Sequence, residues 1–282
     1  MMKKPVSPPR KKADNVVTLS RDEARHAAVS RKNKKRRQIR IIVSALLLLA
    51  FIALAVGASL AFFFSINAVT ADGSSVYSPE DIVAASGVTE GDNLFFTNTA
   101  EVAAKIEKAL PYIETATVKR KLPATLVITA SDAVEAAAFD GAEGYVIISS
   151  TCKVLSGSAG AVRDGVPYVS GVTVTAAQAG ENAVFADVAQ SSAMVTLLSA
   201  LKNAELTGIT SIDMTDVNAV TLVYDGRITL KLGGLSNAEK KLLRARETIN
   251  RENAANPSVR GTLDLTIDPY AYFREERVTQ PQ

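Results

Sequence analysis

A run of 24 residues without a single charge, Ile41 to Phe64, constrains this chain more than any other feature. Only Ser44, Gly57 and Ser59 relieve its apolar side chains. As a helix rising about 1.5 Å per residue it is about 36 Å long, enough to cross a hydrocarbon core of roughly 30 Å with some tilt. A cleaved signal peptide would carry a shorter apolar region, about 7–15 residues, with a small-residue site just beyond it. The A-x-A pattern present, Ala53–Ala55, lies mid-span with nine apolar or small residues still to follow. The run therefore reads as an uncleaved transmembrane helix over 41–64.

Charge divides at this run. Residues 1–40 carry 14 Lys and Arg against 3 acids, whereas the part beyond Phe64 holds 18 basic and 26 acidic side chains. The overall +3 describes neither half. Arg31, Lys32, Lys34, Lys35, Arg36, Arg37 and Arg40 abut the apolar run on one side, and on the other no Lys or Arg occurs before Lys105. Short Lys/Arg-rich flanks stay cytoplasmic, so the N-terminus is expected inside and residues 65–282 outside. The cluster suits anionic lipid headgroups, at about 1 kcal/mol per side chain, better than nucleic acid. With Pro5, Pro8 and Pro9 and few apolar residues, segment 1–40 reads as a basic, disordered cytoplasmic tail.

Beyond the membrane run, residues 66–71 read as a short strand ending in the turn Asp72-Gly73-Ser74-Ser75. Ser78-Pro79-Glu80-Asp81 starts a short helix with an N-cap serine, proline at its first position and acids in its first turn. Gly87 stops that helix. A second helix, Thr99 to Leu110, places Val102, Ile106 and Leu110 on one face, and Pro111 closes it. Strands at Thr115–Lys121 and Thr125–Ala130 follow, joined by Leu122-Pro123-Ala124. The order β-α-α-β-β predicts a small α/β module over 65–132, with two helices on one face of a three-stranded sheet.

The remainder, 133–273, turns to β-structure, with 274–282 a short tail. Gly144–Ser149 and Cys152–Leu155 read as a hairpin and Val166–Val174 as a further strand. A helix from Asp187 to Asn203 is expected to bury Val188, Val195 and Leu198. Val220, Leu222 and Tyr224 alternate up to Asp225-Gly226, a two-residue hairpin signal, and Arg227–Leu232 alternates for a sheet with one wet face. Gly233-Gly234 reads as a turn, and Ser236 with Glu239 as a capping box for a basic amphipathic helix reaching Arg251. Leu263, Leu265 and Ile267 alternate with Thr262, Asp264, Thr266 and Asp268 in a last strand that Pro269 ends. The class is α+β: a single N-terminal transmembrane helix, the β-α-α-β-β module, then a mixed β-domain with two helices.

These residues resemble the POTRA module of the FtsQ/DivIB cell-division proteins. The resemblance runs through Ile66-Asn67-Ala68-Val69, Val76-Tyr77-Ser78-Pro79-Glu80-Asp81-Ile82, Gly91-Asp92-Asn93-Leu94-Phe95, Leu110-Pro111-Tyr112-Ile113 and Val118-Lys119-Arg120-Lys121-Leu122-Pro123. The family's G-x-N-L-F loop, its L-P after the second helix and its basic strand ending in another L-P are all present. One departure is Ala71-Asp72-Gly73, where the family usually has a Gly-Asn pair. The likeness extends over residues 40–273, since the second region is similar to the family's β-domain. It implies a bitopic division-septum protein that binds FtsL-like and FtsB/DivIC-like partners and serves the septal peptidoglycan synthesis machinery.

The chemistry of enzymes is sparse here. The single histidine, His26, lies in the tail, which removes Ser-His-Asp and Cys-His pairs beyond the membrane run. With one cysteine, Cys152, no internal disulfide can form and ordinary zinc sites are excluded. Cys152 reads as a small packed hydrophobe, and Glu275-Glu276 as solvated surface. No cofactor, metal or nucleic acid is expected. The competing class is a membrane-anchored extracytoplasmic hydrolase with a Ser–Lys dyad. A POTRA-bearing outer-membrane translocation protein would need a long β-barrel that this chain cannot supply. Partner binding is expected at Thr262, Asp264 and Thr266, which face away from the core, and at Tyr270, Tyr272 and Phe273. In the resembling family, that same region contacts FtsB/DivIC.

Overall fold

The computed structural model describes residues 21–276, and residues 1–20 and 277–282 lie outside them. Helix α1 runs Arg21–Phe63. Its Gln38–Ser59 stretch is the one helix segment among the described residues long and apolar enough to cross a membrane. The half of the basic segment from Arg21 onward is thus helical, where a disordered tail was expected. Lys, Arg and Ala are good helix formers, and a helix nucleated in the apolar run extends through them at little cost. Phe63 onward forms a separate compact unit.

That unit opens with β1 (Ala68–Asp72), α2 (Pro79–Ser86), α3 (Thr99–Ala109), β2 (Ile113–Lys121) and β3 (Thr125–Asp132). The sheet order is β1-β3-β2, with β1 parallel and β2 antiparallel to β3. Its local signals act as read. Ser78 and Asp81 form a reciprocal capping box, and Gly87 ends α2 at φ 65°. Ile82, Val102, Ile106, Ile113, Ala116, Ile128 and Ala130 bury the helix–sheet interface. At the departure from the family pattern, Gly73 has φ 91°, and a Cβ there would meet the Ala130 carbonyl oxygen at 2.2 Å. Only glycine fits that turn. Asp132 then closes the β1–α2 loop, accepting from the Ser75 N–H and hydroxyl at 2.7 Å each and from the Ser74 hydroxyl. Those bonds outweigh partial burial and hold its carboxyl below the ordinary 3.8.

The second region supplies a nine-stranded sheet. Its strands are β4 (Glu135–Asp140), β5 (Tyr145–Ser149), β6 (Val154–Ala159), β7 (Tyr168–Ser170), β10 (Ile209–Asp213), β11 (Val220–Tyr224), β12 (Ile228–Gly233), β13 (Gly261–Asp264) and β14 (Tyr272–Glu275), with β8 (Val174–Ala176) and β9 (Val184–Phe185) in a side ribbon. Helices α4 (Val188–Asn203) and α5 (Ala238–Ala255) complete it. The order is β14-β13-β12-β11-β10-β7-β4-β5-β6. The stretch from β7 to β14 contains the same unit twice. β7 is parallel to β10 across α4, and β10 is antiparallel to β11. β12 is parallel to β13 across α5, and β13 is antiparallel to β14. Even the strand ends repeat. Asp213 accepts from the Thr215 N–H and hydroxyl as Asp264 does from Thr266, and Met214 and Leu265 are buried between them. One large core holds both helices against the sheet.

Several expectations need correction. Helix α4 buries Met194, Leu197, Leu198 and Leu201, while Val188 and Val195 are exposed. The span read as one strand, Val166–Val174, is β7 followed by the start of β8. Ser236 does not cap α5: the N-cap is Asn237, in the left-handed region with no side-chain cap bond. The Asn237 amide donates instead to Asp268 (2.9 Å), and Glu239 accepts from Asn203 (3.1 Å). The last alternating strand stops at Asp264, because the Asp264–Thr266 turn carries the chain away after the Leu265 N–H reaches the Lys231 carbonyl. Ile267 is consequently 59% exposed, not core. Finally, Arg274 and Glu275, assigned to a tail, belong to β14.

Candidate functional site

The residues read as a contact surface converge on one edge of the large sheet. After Leu265 the chain turns back through Asp268 and Pro269 and lays β14 along β13, pairing Asp264 with Tyr272, Leu263 with Phe273 and Thr262 with Arg274. Gly261 makes this approach possible, since a Cβ there would lie 2.4 Å from the Arg274 carbonyl oxygen. The expected free edge is therefore not β13, which is paired on both sides, but β14.

Pleating sorts the predicted residues. Thr262, Asp264 and Tyr272 share the face opposite the core, together with Lys231 and Arg274. Phe273 stands on the other face with Leu263 and packs against the core. Thr266 is spent in the turn on Asp264, whose carboxyl those two bonds hold below its usual value, with Lys231 and Arg274 adding to the effect. Tyr270 and Tyr272 are 57% and 55% exposed, with ring centroids 5.9 Å apart. The exposed apolar group at this corner is thus Tyr270, Tyr272 and Ile267. The sequence reading missed Ile267 because alternation put it in the core, and missed Arg274 because it fell in the presumed tail.

The backbone adds the rest. The Glu276 N–H donates to the Arg260 carbonyl (2.9 Å), which fixes the phase of the antiparallel ladder. In that phase Tyr272 and Arg274 bond toward β13, and the N–H and C=O groups of Phe273 and Glu275 point away from it. At the opposite end of the sheet, β6 is met at Val154 by the 180–183 segment.

The thiol and the two buried lysines are committed to structural roles. Cys152 is buried, and burial pushes its thiol up to about 11, so it is no nucleophile at neutral pH. The buried lysines Lys153 and Lys241 donate to main-chain carbonyls, those of Glu107 and Ile113 and those of Leu232 and Gly234, rather than to a serine hydroxyl. A cavity of about 540 Å³ is lined by Glu114, Glu135, Leu198 and Leu206 among others. Glu114 accepts from Ser149 and Thr151, and Glu135 from Tyr112 with Arg163 alongside. Ser131, Ser150 and Lys202 also line that cavity, and among the described residues no hydrogen bond joins a serine hydroxyl to a lysine amine. Among the described residues no group of three or more His, Cys, Asp or Glu could hold a metal ion.

An apolar helix long enough to cross a membrane, followed by a β-α-α-β-β module and a sheet whose β14 edge is open, defines a class: α+β proteins with one candidate membrane span. Residues 64–130 match the family model of the POTRA domain, FtsQ-type. The chain is also 26% identical over 195 residues to the "Cell division protein FtsQ" of Corynebacterium glutamicum, a match spanning 66% of this chain and 81% of that protein. The chain thus carries a POTRA domain of the FtsQ type and is similar over about two thirds of its length to an FtsQ cell-division protein.

Proposed function

We propose that this protein is a non-catalytic scaffold of the bacterial division machinery. It is anchored by α1 with its N-terminus in the cytoplasm, and it recruits small bitopic partners of the FtsL and FtsB/DivIC kind at the septum, linking them to peptidoglycan synthesis. The observation that carries this reading is the β14 edge. Outward main-chain groups at Phe273 and Glu275 sit beside the exposed Tyr270–Tyr272 pair, which suits addition of a partner strand. Main-chain pairing would supply affinity and the tyrosines an anchor, since Tyr is enriched at interface hot spots.

The edge can be tested without unfolding it. The Glu275 N–H points away from β13, so Glu275→Pro removes a donor that only an incoming strand would use. Co-purification of the small bitopic partners is expected to fail with Glu275→Pro, and Tyr272→Ala is expected to weaken binding by about 1–3 kcal/mol, with the melting temperature unchanged in both. Undiminished capture by both variants would overturn the proposed contact.

Orientation rests on the contrast between the basic flank before Gln38 and the absence of Lys or Arg from Ser65 to Lys105. Protease added to wall-stripped intact cells is expected to digest residues 65–282 and spare the tail. The reverse pattern would invert the topology and with it the proposed partners.

A further inference from the structure

The two motifs that gave the sequence its family likeness, Gly91-Asp92-Asn93-Leu94-Phe95 and Val118-Lys119-Arg120-Lys121-Leu122-Pro123, meet in the structure, and they meet at the residues that leave the apolar run. Phe64, the last residue of that run, accepts at its carbonyl from the Leu94 N–H (2.8 Å). Ser65 bridges to Asn93, the Ile66 N–H donates to the Asp92 carbonyl (2.7 Å), and the Gly91 N–H donates back to Ile66 (2.9 Å). The Phe95 ring stands edge-on to Phe64, with centroids 4.8 Å apart. One residue further, the Asn67 N–H donates to Ala124 (2.8 Å), which ties down the Leu122-Pro123-Ala124 turn.

These two loops present apolar and cationic side chains together with one carboxylate, Asp92, which accepts from the Thr89 N–H (2.9 Å). Leu94 is buried beneath them, but Phe96 is 74% exposed, and Phe95 and Leu122 are exposed as well. Asn93 Oδ1 accepts from the N–H groups of Phe95 (2.9 Å) and Phe96 (3.2 Å), fixing the turn that puts those rings out. Arg120 locks the same turn from the strand, donating from Nε to the Leu94 carbonyl (2.6 Å) and from Nη2 to the Thr97 carbonyl (2.7 Å). Lys119 and Lys121 are exposed on either side. A solvated protein surface has no need of three large exposed apolar side chains on adjoining loops, two of them on a turn held by a guanidinium clamp.

We infer that this corner of the POTRA module is a membrane-contact surface, with Phe95, Phe96 and Leu122 seated at the headgroup–acyl boundary and Lys119 and Lys121 on anionic headgroups. The occupant is the lipid bilayer because of continuity. The helical part of the run, from Ile41 to the end of α1 at Phe63, is about 34 Å long and exceeds a hydrocarbon core of roughly 30 Å, so Phe64 falls at the membrane boundary, and both loops are hydrogen-bonded to Phe64 and the three residues after it. Apolar side chains rimmed by Lys are the pattern of interfacial insertion into anionic membranes. The inference rests on the run being a membrane span and adds a second, independent attachment that orients the module on the bilayer. Arg120 acts as a positioning residue for it.

The chain has no tryptophan, so single-Trp variants report their own surroundings without background. The full chain would be reconstituted in phosphatidylethanolamine–phosphatidylglycerol vesicles whose acyl chains carry bromine. Phe96→Trp and, separately, Leu122→Trp are expected to emit at shorter wavelength and to lose most of their emission to the brominated lipid. Val134→Trp serves as the water-exposed reference. Val134 is 77% exposed and lies beyond the far end of β3, roughly 26 Å from Ala124 at about 3.3 Å per residue. Leu49→Trp, inside the apolar run, reports insertion itself. Quenching of Leu49→Trp without quenching of Phe96→Trp and Leu122→Trp would overturn the inference while leaving the anchor intact, and so would a blue shift without quenching, which would mean a protein contact instead. Unquenched Leu49→Trp would overturn both, and equal quenching of Val134→Trp would deny a localised contact.

Discussion

Leu265→Asp is expected to abolish folding of the C-terminal region, whereas Ile267→Asp, two residues on, leaves it intact. Leu265 is completely buried in the large core, and its N–H reaches the Lys231 carbonyl at 2.9 Å. The substitution removes a buried aliphatic side chain and puts a carboxylate in its place with no basic partner. The combined cost is on the order of 5 kcal/mol or more, comparable with the whole stability of an ordinary domain. Ile267 is exposed, so an aspartate there should shift stability by no more than about 0.5 kcal/mol. Thermal unfolding followed by circular dichroism separates the two: Leu265→Asp lacks a cooperative transition and Ile267→Asp melts with the parent. Equal damage from both would mean that β13 continues past Asp264.

That pair of residues also marks where sequence reading stops. Alternation treats Leu263, Leu265 and Ile267 alike, and nothing local distinguishes the third. What removes Ile267 from the core is a side-chain turn, Asp264 accepting from the N–H and hydroxyl of Thr266, which competes with the ladder at its last rung. β14 was hidden for a related reason. Tyr-Phe-Arg-Glu is too short to show a period, and its strand character comes from Gly261 letting it close on β13. Signals that depend on near neighbours were legible: the Ser78 capping box, Gly87, the buried face of α3, and Ile228, Leu230 and Leu232 on β12. The α4 face was misassigned because an Ala-rich helix with apolar residues on several sides leaves its rotation to the fold. Of the proposed site, Thr262, Asp264 and Tyr272 share one face of the sheet, and the Tyr270 ring lies beside that of Tyr272. Phe273 turned inward because its neighbour across the ladder, Leu263, is core.

The second large effect concerns how the two sheets are joined. We propose that residues 65–132 form a module with its own helix-packed sheet, bolted to the second region chiefly by Lys153. That side chain reaches from the start of β6 into the first module, where its ammonium donates to the Glu107 carbonyl near the end of α3 (2.6 Å) and to the Ile113 carbonyl at the start of β2. Around it lie the Thr151–Glu114 bond (2.7 Å), the Tyr112–Glu135 bond (2.9 Å) and the Lys108–Glu181 ion pair (2.6 Å). The last of these is exposed and contributes little. Lys153→Met keeps the aliphatic stem but leaves two partly buried carbonyls without their charge-assisted donor, a net loss of about 2–3 kcal/mol after allowing for the relieved desolvation of the ammonium. For a folded unit of this size that lowers the melting temperature by roughly 5–10 °C. The sign of the pH dependence gives an independent check. Burial draws the Lys153 ammonium below its ordinary 10.5, the acids Glu107 and Glu114 opposing only in part. The unfolded chain therefore holds this proton more tightly than the folded one, and the parent gains stability as pH rises from the folded-state value toward 10.5. Lys153→Met should lack that gain, so the gap between the two melting curves should widen as the buffer pH rises toward 10.5. With the bolt removed, unfolding should also split, because the small module has only its own core to hold it at about 65 residues. Differential scanning calorimetry of the Lys153→Met chain is expected to resolve two transitions where the parent gives one. A single transition at the parent temperature would show that the joint is held by apolar packing of Tyr112 and Ala133 against Ala138, Ile147 and Leu155, and not by the lysine.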